Sequence, residues 1–202
     1  RAEPAGPLPP ISPIFISTLS HTATRKWRGN QLASRAVLLH ERSPFRIRNV
    51  GYVAGMGILD GKNLVITGVL TDASLAYGVA EIAKAEGANL ILTGAGRALS
   101  LTKRTARKID PEIEVLELDV TVPEHVEAVR NTVSERWGRV DGVLHAIGFA
   151  PASCLGDDFF GAPWEDVATA MHISTYSLKT LADAFVPLMS DGGSLVRLDF
   201  DN

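Results

Sequence analysis

From Asn63 onward the sequence alternates between two periods, and this constrains the fold more than any other feature. Five short runs, Leu64–Thr67, Leu90–Thr93, Val115–Leu118, Val143–Ala146 and Ser194–Leu198, are rich in β-forming residues and apolar nearly throughout. A strand apolar on both faces is covered on both faces, as in a parallel sheet. Between the runs lie longer segments with helical spacing, such as Ala76, Val79, Ala80 and Ala83. Strands alternating with helices predict an α/β, doubly wound sheet. Boundary signals agree with that assignment. Ser74 can cap the first helix, which stops at Gly87, and Thr121-Val122-Pro123-Glu124 reads as a capping box with proline near the start of the third. The region from about Trp164 to Met189 is a long helical stretch with room for a break.

The chain before this pattern is of another kind. Residues 1–55 hold eight Lys and Arg against two acids, Glu3 and Glu41, with six of the 11 prolines. Residues 56–202 carry the opposite balance, 12 basic against 21 acidic, within an overall net charge of −3. Pro4, Pro7, Pro9, Pro10 and Pro13 break any helix or inner strand, and Ile14–Ile16 is too short for a signal-peptide core. The division expected is therefore 1–55 as an irregular basic extension and 56–202 as a folded domain. Such a leader fits an upstream extension without a structural role, an organellar targeting segment, or a basic arm for an anionic surface.

Some functions are excluded at once. No run approaches the roughly 18 apolar residues of a membrane span. The single cysteine, Cys154, rules out an intramolecular disulfide framework and a multi-thiolate zinc site, and it fits a reducing, cytoplasmic setting. A net acidic patterned region argues against nucleic acid as partner.

In a doubly wound sheet the chemistry lies at the carboxyl ends of the strands. The first strand runs into Thr67-Gly68-Val69-Leu70-Thr71-Asp72-Ala73-Ser74, directly before a helix. A glycine there lets backbone approach a pyrophosphate, and helix-start amides with the Ser74 hydroxyl can bind its charge. The three-glycine fingerprint is absent, so a plain strand-to-helix turn stays open. Gly94-Ala95-Gly96 after the second strand has two fingerprint glycines on the wrong strand, and Arg97 leaves the choice between the two nicotinamide cofactors open. Asp119 can accept from an adenine amino group or cap its own turn. His145 reads as an acid or base, or as a hydrogen-bonded structural histidine, and His125 as a residue of a wet helix face.

Taken together the motifs resemble a known family. Thr67-Gly68-x5-Ser74-Leu75-Ala76, Leu116-Glu117-Leu118-Asp119-Val120, His145-Ala146-Ile147-Gly148-Phe149, Phe159-Phe160-x-Ala162-Pro163-Trp164, His172-Ile173-Ser174-x-Tyr176-Ser177 and Gly192-Gly193-Ser194-Leu195-Val196 occur in order. They are similar to the NADH-dependent enoyl-acyl-carrier-protein reductases of the short-chain dehydrogenase superfamily, mycobacterial type, over about 57–202.

The resemblance implies a Rossmann-like sheet of which this chain holds the first five strands, and a reductase of fatty acid or mycolic acid synthesis acting on trans-2-enoyl thioesters of acyl carrier protein. It implies NADH as cofactor and a homotetramer. Gly68, Ser74 and Leu75 would hold the pyrophosphate and nearby ribose, Asp119 and Val120 the adenine, and Ile147 with Gly148 the nicotinamide-side ribose. Phe200 matches the aromatic residue beside the substrate double bond. Ala95 stands where the mycobacterial form packs an aromatic residue on adenine. The family's Tyr and Lys belong to a helix after the fifth strand, so no catalytic residue is expected in this chain, which would be inactive alone. Tyr176 and Lys179 read as structural or exposed. A ketoreductase-type dehydrogenase and a non-catalytic dinucleotide-binding protein are the alternatives; Phe200 argues against the first and an exposed sheet edge against the second.

Overall fold

The computed structural model describes residues 57–155 and 159–199. The expected division at residue 55 and the substrate residue Phe200 lie outside these. Five strands, β1 Asn63–Thr67, β2 Asn89–Gly94, β3 Glu114–Glu117, β4 Gly142–His145 and β5 Ser194–Arg197, form one parallel sheet in the order β3-β2-β1-β4-β5. The helices α1 Leu75–Ala85, α2 Gly96–Ile109, α3 Pro123–Trp137, α4 Trp164–Met171 and α5 Ser177–Phe185 connect them. This is the doubly wound α/β sheet that the alternating periods predict, with the Rossmann-like order that the resemblance implies. Among the described residues no helix is long and apolar enough to cross a membrane.

The inner strands are buried as expected because successive side chains point to opposite faces and both faces are covered. Val65, Ile91 and Val143 face Val126, Val129 and Val133 of α3 and Leu181 and Phe185 of α5. Their neighbours Ile66, Leu92 and Leu144 face the other way, onto Ala76, Ala80 and Ala83 of α1 and Ala106 of α2. The two outer strands depart from expectation. Ser194 and Val196 of β5 are exposed, as is Glu117 of β3, because among the described residues each of these strands has a partner on one side only and less helix above it.

Two capping assignments are corrected. Ser74 occupies the N-cap position of α1 but makes no cap bond. Its hydroxyl oxygen turns back and accepts the amides of Leu70 and Thr71 at 3.2 and 2.9 Å. Thr121 makes no capping box either. Its amide and hydroxyl both donate to Asp119 Oδ1, so α3 starts after Val122 with Pro123 in its first turn. In both cases a side chain that could serve the helix serves the preceding loop, which offers equally good local partners. The helix start loses little at Pro123, which has no amide to satisfy.

At the opposite end of the sheet Asp141 ties β1 to β4. Its carboxylate accepts the Asn63 amide at 2.9 Å and faces Lys62 and Arg139. Burial alone would raise its pKa, but these three partners hold it below 3.8. Asp141→Ala strands the Asn63 amide and is expected to cost about 1–3 kcal/mol, read as a lower urea midpoint at neutral pH. Because the folded pKa is depressed, that contribution is present above pH 3.8 and fades as pH falls through the folded value.

Candidate functional site

Strand order reverses beside β1: β2 and β3 extend to one side, β4 and β5 to the other. Connections from the two halves part there, and a crevice opens beyond the carboxyl ends of β1 and β4. It has a volume of about 320 Å³ and is bordered by residues at the carboxyl ends of β1, β2, β3 and β4, from Thr67 and Gly68 to Ile147 and Gly148.

Thr67 builds the floor. The β1–β4 register ends at Ile66 opposite Leu144, and beyond it the Thr67 hydroxyl takes over. It donates to the Leu144 carbonyl and accepts the Ala146 amide, both at 2.9 Å, and Thr67 is 1% exposed. Gly68 follows with φ +79°, and a Cβ there would lie 2.0 Å from the Ala146 carbonyl oxygen. Only glycine permits that approach. The turn is then fixed from outside: Thr105 of α2 donates to the Leu70 carbonyl at 2.9 Å, and Lys108 pairs with Asp72 at 2.6 Å.

Asp119 and Val120 form the wall after β3. The Thr121 hydroxyl, and then its amide, hold the Asp119 carboxyl below the usual carboxylate range. Both bonds fall on Oδ1, so the group is ionised at neutral pH with Oδ2 as its further acceptor. His125 is not on a wet face: its half-buried ring accepts the Asp119 amide through Nδ1 at 3.3 Å. Across the crevice, Ile147 is half-buried, Gly148 has open space where a Cβ would stand, and Phe149 is 51% exposed.

The structure thus gathers Gly68, Asp119, Val120, Ile147 and Gly148 around one crevice. Ser74 and Leu75 stand apart from its wall, Ser74 bracing the turn and Leu75 exposed at the start of α1. Ala95 borders the crevice, whereas Arg97 is exposed on the first turn of α2. Tyr176 is exposed, and Lys179 pairs with Asp183 on the helix surface. Sequence reasoning gave no role to Thr67, Ile173 or Ser174. The hydroxyl directly before the first turn's glycine is the one signal that could have found Thr67.

The expected break in the long helical region is a π-turn, His172–Tyr176, between α4 and α5. Its residue Ile173 also borders the crevice. Behind it His145, without exposed surface, meets Ser177 Oγ at 2.7 Å. Burial pushes its pKa below 6.5, and the charge of Arg197 acts in the same direction. The unfolded chain therefore takes up the proton first as pH falls. Stability is expected to decline from about pH 6.5 downward, and His145→Gln to flatten that decline in urea midpoints measured between pH 7 and about pH 5.

The model of the enoyl-(acyl carrier protein) reductase family matches residues 68–202. An NADH-type enoyl-acyl-carrier-protein reductase of Mycolicibacterium smegmatis is 44% identical over 149 residues, covering 72% of this chain and 55% of the relative. One of Mycobacterium avium is 40% identical with the same coverage, and one of a Nostoc species is 34% identical over 70% of this chain and 56% of its own length. The chain spans about half the length of these relatives.

Proposed function

The chain belongs to the enoyl-(acyl carrier protein) reductase family, and from that premise we propose that its crevice binds NADH and that the whole protein reduces trans-2-enoyl thioesters on acyl carrier protein. The observation that supports this most is the meeting of Gly68, Asp119, Val120, Ile147 and Gly148 around one crevice where the strand order reverses. The crevice fits such a group. Its wall is apolar with one ionised acceptor, its Gly68 turn exposes backbone, and its Gly148 side is open.

When bound, NADH supplies a hydride for the β-carbon of the enoyl group. The chain's own part is to bind and orient. Asp119 accepts from the adenine amino group and Val120 packs on the ring. The Gly68 backbone passes the pyrophosphate without a side chain in the way. Ser74 accepts two loop amides and keeps its own proton to donate to a phosphate oxygen, with Leu75 at the adjoining ribose. Ile147 and Gly148 leave room for the nicotinamide-side ribose, and the family motif assigns Phe200, outside the described residues, to the substrate. A cytoplasmic place agrees with Cys154 as a free thiol. Self-association as a homotetramer is supported by α4, which buries none of its residues and exposes Trp164 and Met171 at 71% and 55%.

A chimaera tests the activity. Residues 57–199 replace the corresponding segment of the Mycolicibacterium smegmatis relative, and NADH oxidation is followed with an enoyl thioester. Turnover that depends on both is expected. A chimaera that folds without binding NADH, or binds it without turnover, contradicts the proposal.

A further inference from the structure

β4 is an inner strand, yet it ends in an imidazole with no exposed surface. Such a ring is costly to bury unless its polar atoms are paired. His145 Nε2 has one partner, the Ser177 hydroxyl at 2.7 Å. That hydroxyl, equally buried, donates to the Ile173 carbonyl at 2.6 Å. With its single proton on that carbonyl, the hydroxyl oxygen accepts from the ring and Nε2 carries the hydrogen, a tautomer assigned from this network. Nδ1 is then a bare acceptor, with no partner among the described residues. A neutral ring in this tautomer suits its surroundings, because it lies in register with Arg197 on β5 and a second positive charge would be repelled.

The same bonds account for the π-turn. In an α-helix the Ser177 amide would donate to the Ile173 carbonyl. Here the hydroxyl takes that carbonyl, and the amide donates to His172, one residue further back. Side-chain capture of a carbonyl four residues back is a known way to distort a helix. A second tie leaves from the middle of the turn. Ser174 Oγ accepts the Phe149 amide at 2.9 Å and donates to the Phe149 carbonyl at 2.8 Å. The three residues between His145 and Phe149 are therefore held at both ends, by Ser177 directly after the π-turn and by Ser174 within it, and they form a wall of the crevice together with Ile173.

We infer that His145 and Ser177 are positioning residues: by fixing the π-turn they hold the Ile147–Phe149 wall in place for the nicotinamide half of the dinucleotide. The inference rests on the dinucleotide proposal above. His145 faces Ser177 and has no exposed surface, so it acts through the turn and not on a ligand. Ser174 is the second point of the same clamp.

Two variants, Ser177→Ala and Ser174→Ala, separate this from a general loosening of the fold. Calorimetric titration compares NADH with ADP, which has the adenosine and pyrophosphate but no nicotinamide half. Hydrogen exchange of the Phe149 amide is followed in the unliganded protein. Each variant is expected to weaken NADH about tenfold, the value of one hydrogen bond, with ADP changed less than about twofold. Phe149 exchange is expected to rise about tenfold or more in both. Unchanged exchange overturns the clamp, and an equal loss of both ligands overturns its bias toward the nicotinamide end. A wild-type protein that binds neither nucleotide overturns the dinucleotide proposal and the ligand half of this one, while the exchange measurement still decides the clamp. Nitrogen chemical shifts of His145 give a separate reading: a protonated Nδ1 with a bare Nε2 contradicts the inferred tautomer.

Discussion

Gly68→Ala is expected to unfold the protein at much lower denaturant and to abolish measurable NADH binding in whatever fraction stays folded. Two costs combine at this position. The φ of +79° is unfavourable for any residue with a Cβ, at about 1–2 kcal/mol. The added Cβ would also lie 2.0 Å from the Ala146 carbonyl oxygen, a backbone atom that cannot rotate away. The turn or the β4 end must move, bringing the total to about 3–5 kcal/mol. Gly61 provides the control, since its φ of +68° is similar and a Cβ there would meet nothing within 4 Å. Gly61→Ala is expected to cost only the conformational part, about 1 kcal/mol, and to leave NADH affinity unchanged. Equal losses in the two variants would show that the close approach at Gly68 carries no weight.

The second large effect is at Thr67. Thr67→Val keeps shape and volume but removes both hydrogen bonds between the end of β1 and β4. The Ala146 amide is left without its acceptor, and the Leu144 carbonyl loses a donor. Leaving such groups unsatisfied in a buried position costs about 1–3 kcal/mol each, although the Leu144 carbonyl has a second lone pair. A loss of about 2–3 kcal/mol is expected in urea unfolding. Weaker NADH binding is expected with it, because Ala146 begins the wall that carries Ile147 and Gly148. Thr67→Ser keeps the hydroxyl and is expected to recover most of both. A valine variant as stable as wild type would mean that this bridge adds nothing to the sheet.

How much of this was legible in the sequence depends on where the deciding partner sits. The inner strands were legible because their partners are helices on both faces, so nearly every residue of Val65–Thr67 and Ile91–Thr93 had to be apolar or small. The outer strands were less so: β5 has the same β-rich composition, and only its place at the sheet edge leaves Val196 exposed. Ser74 and Thr121 satisfied a correct local rule for helix starts, but the loops before them offered competing donors and an acceptor a few residues away. The crevice residues Gly68, Asp119, Ile147 and Gly148 could be placed at strand ends from periodicity alone, and topology then brought those ends together. The π-turn could not have been placed. The Ser177 hydroxyl that takes the Ile173 carbonyl is held by a histidine 32 residues earlier in the chain, and neither His145 nor Ser177 carries a sign of the other in its local sequence.

We propose that a dinucleotide lies across the carboxyl ends of the strands, with adenine at Asp119 and Val120 and the nicotinamide ribose at Ile147 and Gly148. Amide hydrogen exchange of the protein with and without saturating NADH tests it most directly. Slower exchange is predicted at Gly68–Leu70, at Asp119–Val120 and at Ile147–Phe149, with the outer face of α4 unchanged. Protection confined to other segments, or no protection at a concentration where NADH is shown to bind, would contradict the account.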